Sequence, residues 1–415
     1  MKRYGCVGKK LTHSFSKEIH GKLADYPYEL IELDEDGVAE FFAKKEFASV
    51  NVTIPYKQTV IPYLDEISEI ANRIGAVNTV VNRGGRLYGY NTDYHGMKAL
   101  IGRLGVELLG KKVLILGTGG TSKTARVVAT DLGASAIQTV GRRKKEGCIT
   151  YQEAASLHRD ANFIINTTPV GMFPDCDATP IDLSPFAMLE GVIDAVYNPL
   201  CTNLVLDAIE KGIKAQGGLY MLVMQAVVAV EKFLDITIPK ETADKVYASI
   251  LASKENVVLI GMPGSGKSTV GRLLQMDGYS FVDTDAQIEK LCGCTIKDLI
   301  ASKGEAYFRD LESRVIREVS STGCRIISTG GGAILRKENL RCLKRNGKLF
   351  FMDASLDRLH ATEDRPLSDT QEKLVSLYHE RIGLYRSAAD VTVPDMETAQ
   401  EEASYILAKR MEMIL

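Results

Sequence analysis

The sequence predicts an α/β protein built on mostly parallel sheets. Three observations carry this expectation. Short β-branched and aliphatic runs alternate with amphipathic stretches along the whole chain. At two places, Lys112–Gly133 and Asn256–Gly278, such a run feeds a glycine-rich turn and then a helical pattern. The composition is that of a globular chain, 45% hydrophobic and 25% charged over 415 residues, long enough for two or three domains.

Charge and composition narrow the partners. A net charge of −2 and a pI of about 6.4 leave no basic field for nucleic acid or a membrane surface, so anionic ligands must be held by local groups. The eight cysteines are scattered, and only Cys292 and Cys294 are close. A lone C-x-C is a poor zinc signal, so free, reduced thiols are expected. The first ten residues lack an apolar signal core. The most apolar stretch, Tyr220–Val230, contains Gln225 and is shorter than the roughly 20 residues that span a bilayer. A soluble cytoplasmic protein is expected, with small-molecule partners.

The elements follow in order. Val50–Lys57 and Ala76–Asn82 read as strands, with a helical turn over Ser68–Ile74 feeding the second. Val113–Leu116 and Ala136–Val140 are the strands of the first glycine-turn unit. Ala161–Pro169 and Gly191–Pro199 read as buried strands ending in polar turns, and Leu219–Leu234 as a long buried helix. Val257–Ile260, Phe281–Asp285 and Arg325–Thr329 are the strands of the second unit. The join near Lys254 carries no Pro/Gly/Ser linker and is placed by the motifs on either side.

The first glycine turn, Gly117-Thr118-Gly119-Gly120-Thr121-Ser122, matches G-x-G-x-x-G except at Ser122. Between a strand and a helix this pattern predicts a dinucleotide, with backbone N–H groups facing the phosphates. After the next strand an NAD site usually presents an acid. Here stand Gly141-Arg142-Arg143-Lys144-Lys145, whose cations suit a 2′-phosphate and so favour NADP. Hydride transfer also needs a proton donor. Lys57, in Asn51–Lys57, and Asp93, in Asn91-Thr92-Asp93, form a candidate pair.

The second turn, Gly261-Met262-Pro263-Gly264-Ser265-Gly266-Lys267-Ser268, fits G-x-x-x-x-G-K-S without deviation. It predicts nucleoside triphosphate binding by Gly264–Thr269, with Lys267 on the β/γ oxygens and Ser268 on Mg²⁺. Alternation along an extended chain places Asp283 and Asp285 on one side, Asp283 toward the metal and Asp285 toward an acceptor hydroxyl. Gly330-Gly331-Gly332 follows the third strand, where no Walker B acid stands, and suggests room for substrate. Arg309, Arg365 and Arg381 are candidate clamps for a carboxylate or a transferring phosphoryl group.

These residues carry two specific resemblances. Residues 1 to about 250 resemble shikimate dehydrogenase. The stretches are His13–Ser16, Asn51–Lys57, Gly75–Thr79, Asn91–Asp93, Gly117–Ser122, Asn166–Met172, Asp194–Pro199 and Gly217–Ala226, in the family's order. The resemblance implies Lys57 and Asp93 as the catalytic pair. It implies substrate contacts from Ser14, Ser16, Thr53, Asn78, Asp93, Tyr197 and Gln225, and NADP contacts from Gly117–Thr121, Arg142, Ala195 and Gly218. The family's usual Asn-Arg-Thr is Gly141-Arg142-Arg143 here. It also implies a substrate-binding part over 1–93, completed by helices at 219–250, and a Rossmann NADP domain over 94–218.

Residues 254–415 resemble shikimate kinase through the P-loop, Asp283–Asp285, Gly304–Glu312, Gly330–Ala333, Arg365–Leu367 and Arg381–Arg386. That resemblance implies a P-loop α/β kinase domain with a parallel sheet. It assigns shikimate to Asp285, Arg309, Gly331 and Arg381, and places Arg365 on a lid facing ATP. The expected activity is NADPH-dependent reduction of 3-dehydroshikimate joined to MgATP-dependent phosphorylation of shikimate.

Overall fold

A computed structural model describes residues 3–11, 15–274, 276, 278–361 and 370–414. The chain divides into two compact units, Met1–Ile250 and Leu251–Leu415.

The first unit holds two six-stranded sheets. Strands β1 (Tyr4–Gly8), β2 (Tyr28–Glu32), β3 (Ser49–Val52), β4 (Glu66–Ile67), β5 (Thr79–Arg83) and β6 (Arg86–Tyr90) form one, in the order β2-β1-β3-β5-β6-β4. This sheet is mixed rather than parallel. Gly84 and Gly85, with φ of 63° and 89°, close a two-residue hairpin that only left-handed residues fit. It makes β5 and β6 antiparallel, and β5 is also antiparallel to β3. The expected strand over Val50–Lys57 stops at Val52, because the chain turns from Thr53 onward. The second expected strand begins at Thr79 instead of Ala76.

Strands β7 (Lys112–Leu116), β8 (Ala136–Gly141), β9 (Cys148–Thr150), β10 (Phe163–Asn166), β11 (Gly191–Asp194) and β12 (Lys214–Gln216) form the second sheet. It is wholly parallel, in the order β12-β11-β10-β7-β8-β9. Val113–Leu116 and Phe163–Ile165 are buried without alternation, as strands covered on both faces must be. The strand order reverses between β7 and β10, which opens a crevice at their carboxyl ends. The helix Leu219–Leu234 spans the expected residues and packs on the helix Asp93–Leu104.

In the second unit, β13 (Asn256–Ile260), β14 (Ser280–Asp283), β15 (Arg325–Ser328), β16 (Gly347–Asp353) and β17 (Val391–Pro394) form a parallel sheet, in the order β14-β15-β13-β16-β17. The residues leading into β13 are tied down within this unit. The Ala252 carbonyl accepts from Arg410 (2.9 Å) and from the Tyr279 hydroxyl, which also reaches the Glu255 carbonyl at 2.7 Å. No helix among the described residues is long and apolar enough to cross a membrane.

Candidate active sites

Lys57 lies five residues beyond β3, on a turn fixed at both ends. The Thr53 amide donates to the Val7 carbonyl (2.9 Å), and the Lys57 carbonyl accepts from the Val77 amide (2.7 Å). The Tyr56 hydroxyl anchors the turn from below on the Leu33 carbonyl at 2.6 Å. Asp93 opens the helix Asp93–Leu104, where the N-terminal dipole favours a carboxylate. The two side chains meet at 2.5 Å, both mostly buried. Each charge has its counter-ion before any ligand arrives.

A polar network stands beside this pair. The Asn78 carboxamide oxygen accepts from the Thr92 amide (2.7 Å), and its nitrogen donates to the Thr92 hydroxyl (3.1 Å). That hydroxyl reaches the Gln225 oxygen at 3.3 Å, from a helix 133 residues further on. Asn51 joins from β3, bonded to Thr79 and held by the Tyr28 hydroxyl at 2.7 Å. Gly96 makes the meeting possible, since a Cβ there would lie 2.5 Å from the Met221 carbonyl oxygen. Neither Gly96 nor Tyr28 stood out in the sequence. Gly96 is one glycine in a helical pattern, and Tyr28 acts across sequence distance. Tyr197 brings the 195–199 loop against Phe15 (ring centroids 5.2 Å apart), next to Ser16. Thr53 stands at the end of β3 beside the Lys57 turn, whereas Ser14 lies outside the described residues.

At the crevice of the second sheet, Gly117 takes a φ of 108°, and a Cβ on it would lie 2.7 Å from the Thr167 hydroxyl. Gly119 caps the helix Gly120–Asp131 without a side-chain bond, and the space where Cβ atoms would stand on Gly119 and Gly120 is open. Thr118 and Thr121 flank that opening, so the free N–H groups can face an anion. Ser122, in place of the last glycine of the pattern, is buried. Beyond β8, Lys144 is already paired with Glu153 at 2.5 Å. Arg142 and Arg143 are exposed, and neither pairs with an acid among the described residues. Gly218 abuts the Ala195 carbonyl so closely that no side chain fits between them.

In the second unit the P-loop folds around Gly261, Gly264 and Gly266, all at positive φ (153°, 84° and 82°). Ser265 and Lys267 are buried within it, and Thr269 lies one residue beyond Ser268. The Lys267 ammonium donates to the Gly261 and Met262 carbonyls at 3.0 and 2.8 Å, held across the loop's mouth. The Ser268 hydroxyl donates to Asp283 at 2.5 Å and meets Ser328, at the end of β15, at 3.1 Å. Two hard oxygen donors side by side fit Mg²⁺, which keeps most of its shell for phosphates and water.

Asp283 and Asp285 do share a cavity of about 500 Å³ with the P-loop, but not by strand alternation. The strand ends at Asp283, which caps the helix Thr284–Cys292 by accepting from the Asp285 and Ala286 amides. Asp285 then points in from the first turn. Its carboxyl is pushed up to about 7, mainly by burial and further by the charges of Asp283 and Glu312; Lys267 and Arg309 oppose the shift. One of its oxygens has no hydrogen-bond partner among the described residues.

Arg309 is held by Glu305 (3.1 Å) and Glu312 (2.9 Å). The guanidinium of Arg381 donates to the Gly331 carbonyl at 3.3 Å. The space at the three glycines goes to these side chains as much as to a ligand. A Cβ on Gly330 would lie 2.6 Å from Asp285 and 2.9 Å from Glu312, and one on Gly332 would strike the Arg309 guanidinium. Glu312 and Ser328 carried no role in the sequence reading, and Glu312 was visible there only as part of a motif. Arg365 lies outside the described residues.

Comparison with known proteins now bears on both units. A family model described as the shikimate dehydrogenase substrate binding domain matches residues 6–80. The shikimate dehydrogenase (NADP(+)) of Clostridium perfringens (strain SM101 / Type A) is 35% identical over 268 residues, covering 60% of this chain and 98% of that protein. The chain belongs to the shikimate dehydrogenase family. Solved members of the family agree. Shikimate dehydrogenase 1 from Peptoclostridium difficile is 34% identical with a TM-score of 0.56, covering 60% of this chain and 98% of that one. A chorismate mutase/shikimate 5-dehydrogenase fusion protein from Clostridium acetobutylicum is also 34% identical, with a TM-score of 0.57, covering 60% of this chain and 97% of that one. Beyond the shikimate dehydrogenase region, a shikimate kinase family model matches residues 263–411. That span contains the P-loop from Pro263 onward, the acid cluster and the arginines.

Proposed function

We infer that this chain is a bifunctional enzyme that reduces 3-dehydroshikimate to shikimate with NADPH and phosphorylates shikimate with MgATP. One observation carries the reading. The N-terminal unit covers almost the whole of an NADP-dependent shikimate dehydrogenase, and the remainder matches a shikimate kinase. The product of the first reaction is the acceptor of the second. We assign substrate binding to residues 1–93 with the helices at 219–250, NADP binding to 94–218 and the kinase to 254–415. The free cysteines support action in the cytoplasm.

In the reductase, Gly117–Thr121, Ala195 and Gly218 would hold NADPH and Arg142 its 2′-phosphate, and the cofactor would supply the hydride. Lys57 gives a proton to the carbonyl oxygen as it becomes a hydroxyl. Asp93 orients that ammonium and accepts from a neighbouring substrate hydroxyl. Ser14, Ser16, Thr53, Asn78, Tyr197 and Gln225 hold the remaining hydroxyls and the carboxylate.

In the kinase, Ser268 and Asp283 would hold Mg²⁺, which would offset phosphate charge. Asp285 takes the proton of the acceptor hydroxyl. Arg309, Gly331 and Arg381 fix the acceptor, the arginines by pairing with its carboxylate. Arg365 joins Gly264–Thr269 on ATP.

Two assays on the purified full-length chain test this reading: NADPH oxidation with 3-dehydroshikimate, and ADP release with shikimate and MgATP. Both activities are expected, and the absence of either would refute the bifunctional reading.

A further inference from the structure

Asp194 is fully buried at the end of β11, and no cation pairs with it among the described residues. Three donors converge on its carboxylate. The Asn166 side chain (2.9 Å) and the Val196 amide (3.0 Å) donate to one oxygen, and the Thr202 hydroxyl (2.6 Å) donates to the other. Burial still pushes its carboxyl up to about 6 against these three bonds. A buried charge without a counter-ion is costly. Its placement asks for a reason beyond packing.

The bonds lead to the crevice. Leu116, Asn166 and Asp194 form one row across β7, β10 and β11. The Asn166 oxygen accepts from the Thr168 amide (3.0 Å) and hydroxyl (2.7 Å), and Thr167 bonds back to the Leu116 carbonyl. Thr167 and Thr168 are the residues that crowd Gly117. On the other side, the Ala195 amide donates to the Asn166 carbonyl (2.9 Å), and the Val196 carbonyl accepts from the Gly218 amide (2.8 Å). Thr202 also caps the helix Asn203–Glu210. All three partners are donors, which only an acceptor-only group satisfies in full.

We propose that Asp194 is a positioning residue of the reductase: its carboxylate locks the strand-end loops at Thr167–Thr168 and Ala195–Val196, and so sets the width of the NADP crevice between Gly117 and Gly218. It touches neither cofactor nor substrate itself. The proposal rests on the NADPH-reductase reading above.

The test uses the full-length chain with Asp194→Ala and Asp194→Asn, with an unchanged KM for 3-dehydroshikimate as the check that the reductase unit is intact. Asp194→Ala leaves Asn166, Val196 and Thr202 without their acceptor. It is expected to raise the KM for NADPH about tenfold or more, while kcat at saturating NADPH falls less than about threefold. Asp194→Asn keeps an acceptor toward Asn166 and Val196 and should bring that KM back to within about threefold of the parent. An unchanged KM in Asp194→Ala, a loss in kcat alone, or no recovery in Asp194→Asn would overturn the proposal. Should Asp194→Ala not fold, Thr202→Val removes one donor instead; a raised KM for NADPH is expected, and an unchanged one overturns the proposal. A parent chain that does not oxidise NADPH with 3-dehydroshikimate would refute the underlying reading, a result that needs no variant.

Discussion

The two proposed active sites solve opposite electrostatic problems. In the reductase, Lys57 and Asp93 neutralise each other at 2.5 Å, and Asn78, Thr92 and Gln225 bond among themselves. In the kinase, four acids (Asp283, Asp285, Glu289 and Glu312) line one cavity, and Asp285 keeps an oxygen with no hydrogen-bond partner among the described residues. The first site is settled before its ligands arrive. The second is built for charge that it does not itself contain, the metal and the arginine-bound acceptor. The difference follows the chemistry. Hydride transfer to a neutral carbonyl needs an oriented proton donor, whereas phosphoryl transfer needs a metal, a base and charge compensation together.

The largest effect should come from removing the base of the unsettled site. Asp285→Asn keeps the shape but cannot accept the hydroxyl proton. Kinase kcat is expected to fall by about 10²–10⁴-fold, with reductase turnover unchanged. A kinase that keeps most of its rate would show that positioning alone carries phosphoryl transfer here, and the contrast between the sites would lose its chemical basis.

A smaller effect probes an unsettled part of the reductase. Arg142 is exposed after β8, without an acid partner among the described residues. Arg142→Ala should weaken NADPH binding by roughly tenfold or more through a lost charge-assisted contact, and leave NADH binding nearly unchanged. Titrating both nucleotides by fluorescence separates the outcomes, since equal losses would mean that Arg142 only shapes the loop.

The smallest effect sharpens the kinase side. In the chain free of ligand and Mg²⁺, carboxyl-carbon NMR should show Asp285 losing its proton near pH 7, because burial, Asp283 and Glu312 all disfavour the charge. A raised pKa means that the carboxyl is neutral below that pH and charged above it. Asp283→Asn removes one like charge and should move the transition to lower pH. A titration in the ordinary range of an aspartate would show that the cavity is wetter than its geometry indicates.

Much of both sites was legible because it is local. The glycine turn at Gly117–Ser122, the P-loop and the helix Leu219–Leu234 are patterns of a few adjacent residues, and the structure places each where the pattern put it. What escaped depends on partners far along the chain. Thr92 and Gln225 meet only because Gly96 lets two helices touch. Asp283 and Asp285 reach one cavity through a helix cap, which a reading by strand alternation does not see. The sheets are mostly parallel as expected; what the patterns did not show is the antiparallel pairing of β5 with β6, where the adjacent left-handed Gly84 and Gly85 impose a hairpin. The Asp194 bonds join residues whose roles show only once β10 and β11 lie side by side.

The central claim is that one chain carries two chemically separate sites in series, and a single variant tests it most directly. Lys57→Ala in the full-length protein is given NADPH and MgATP, first with 3-dehydroshikimate and then with shikimate. The account predicts that phosphorylated product from 3-dehydroshikimate falls by at least about 10²-fold, while phosphorylation of added shikimate proceeds at the parent rate. Product formed from 3-dehydroshikimate at near-parental rate, or a matching loss with shikimate, would contradict it.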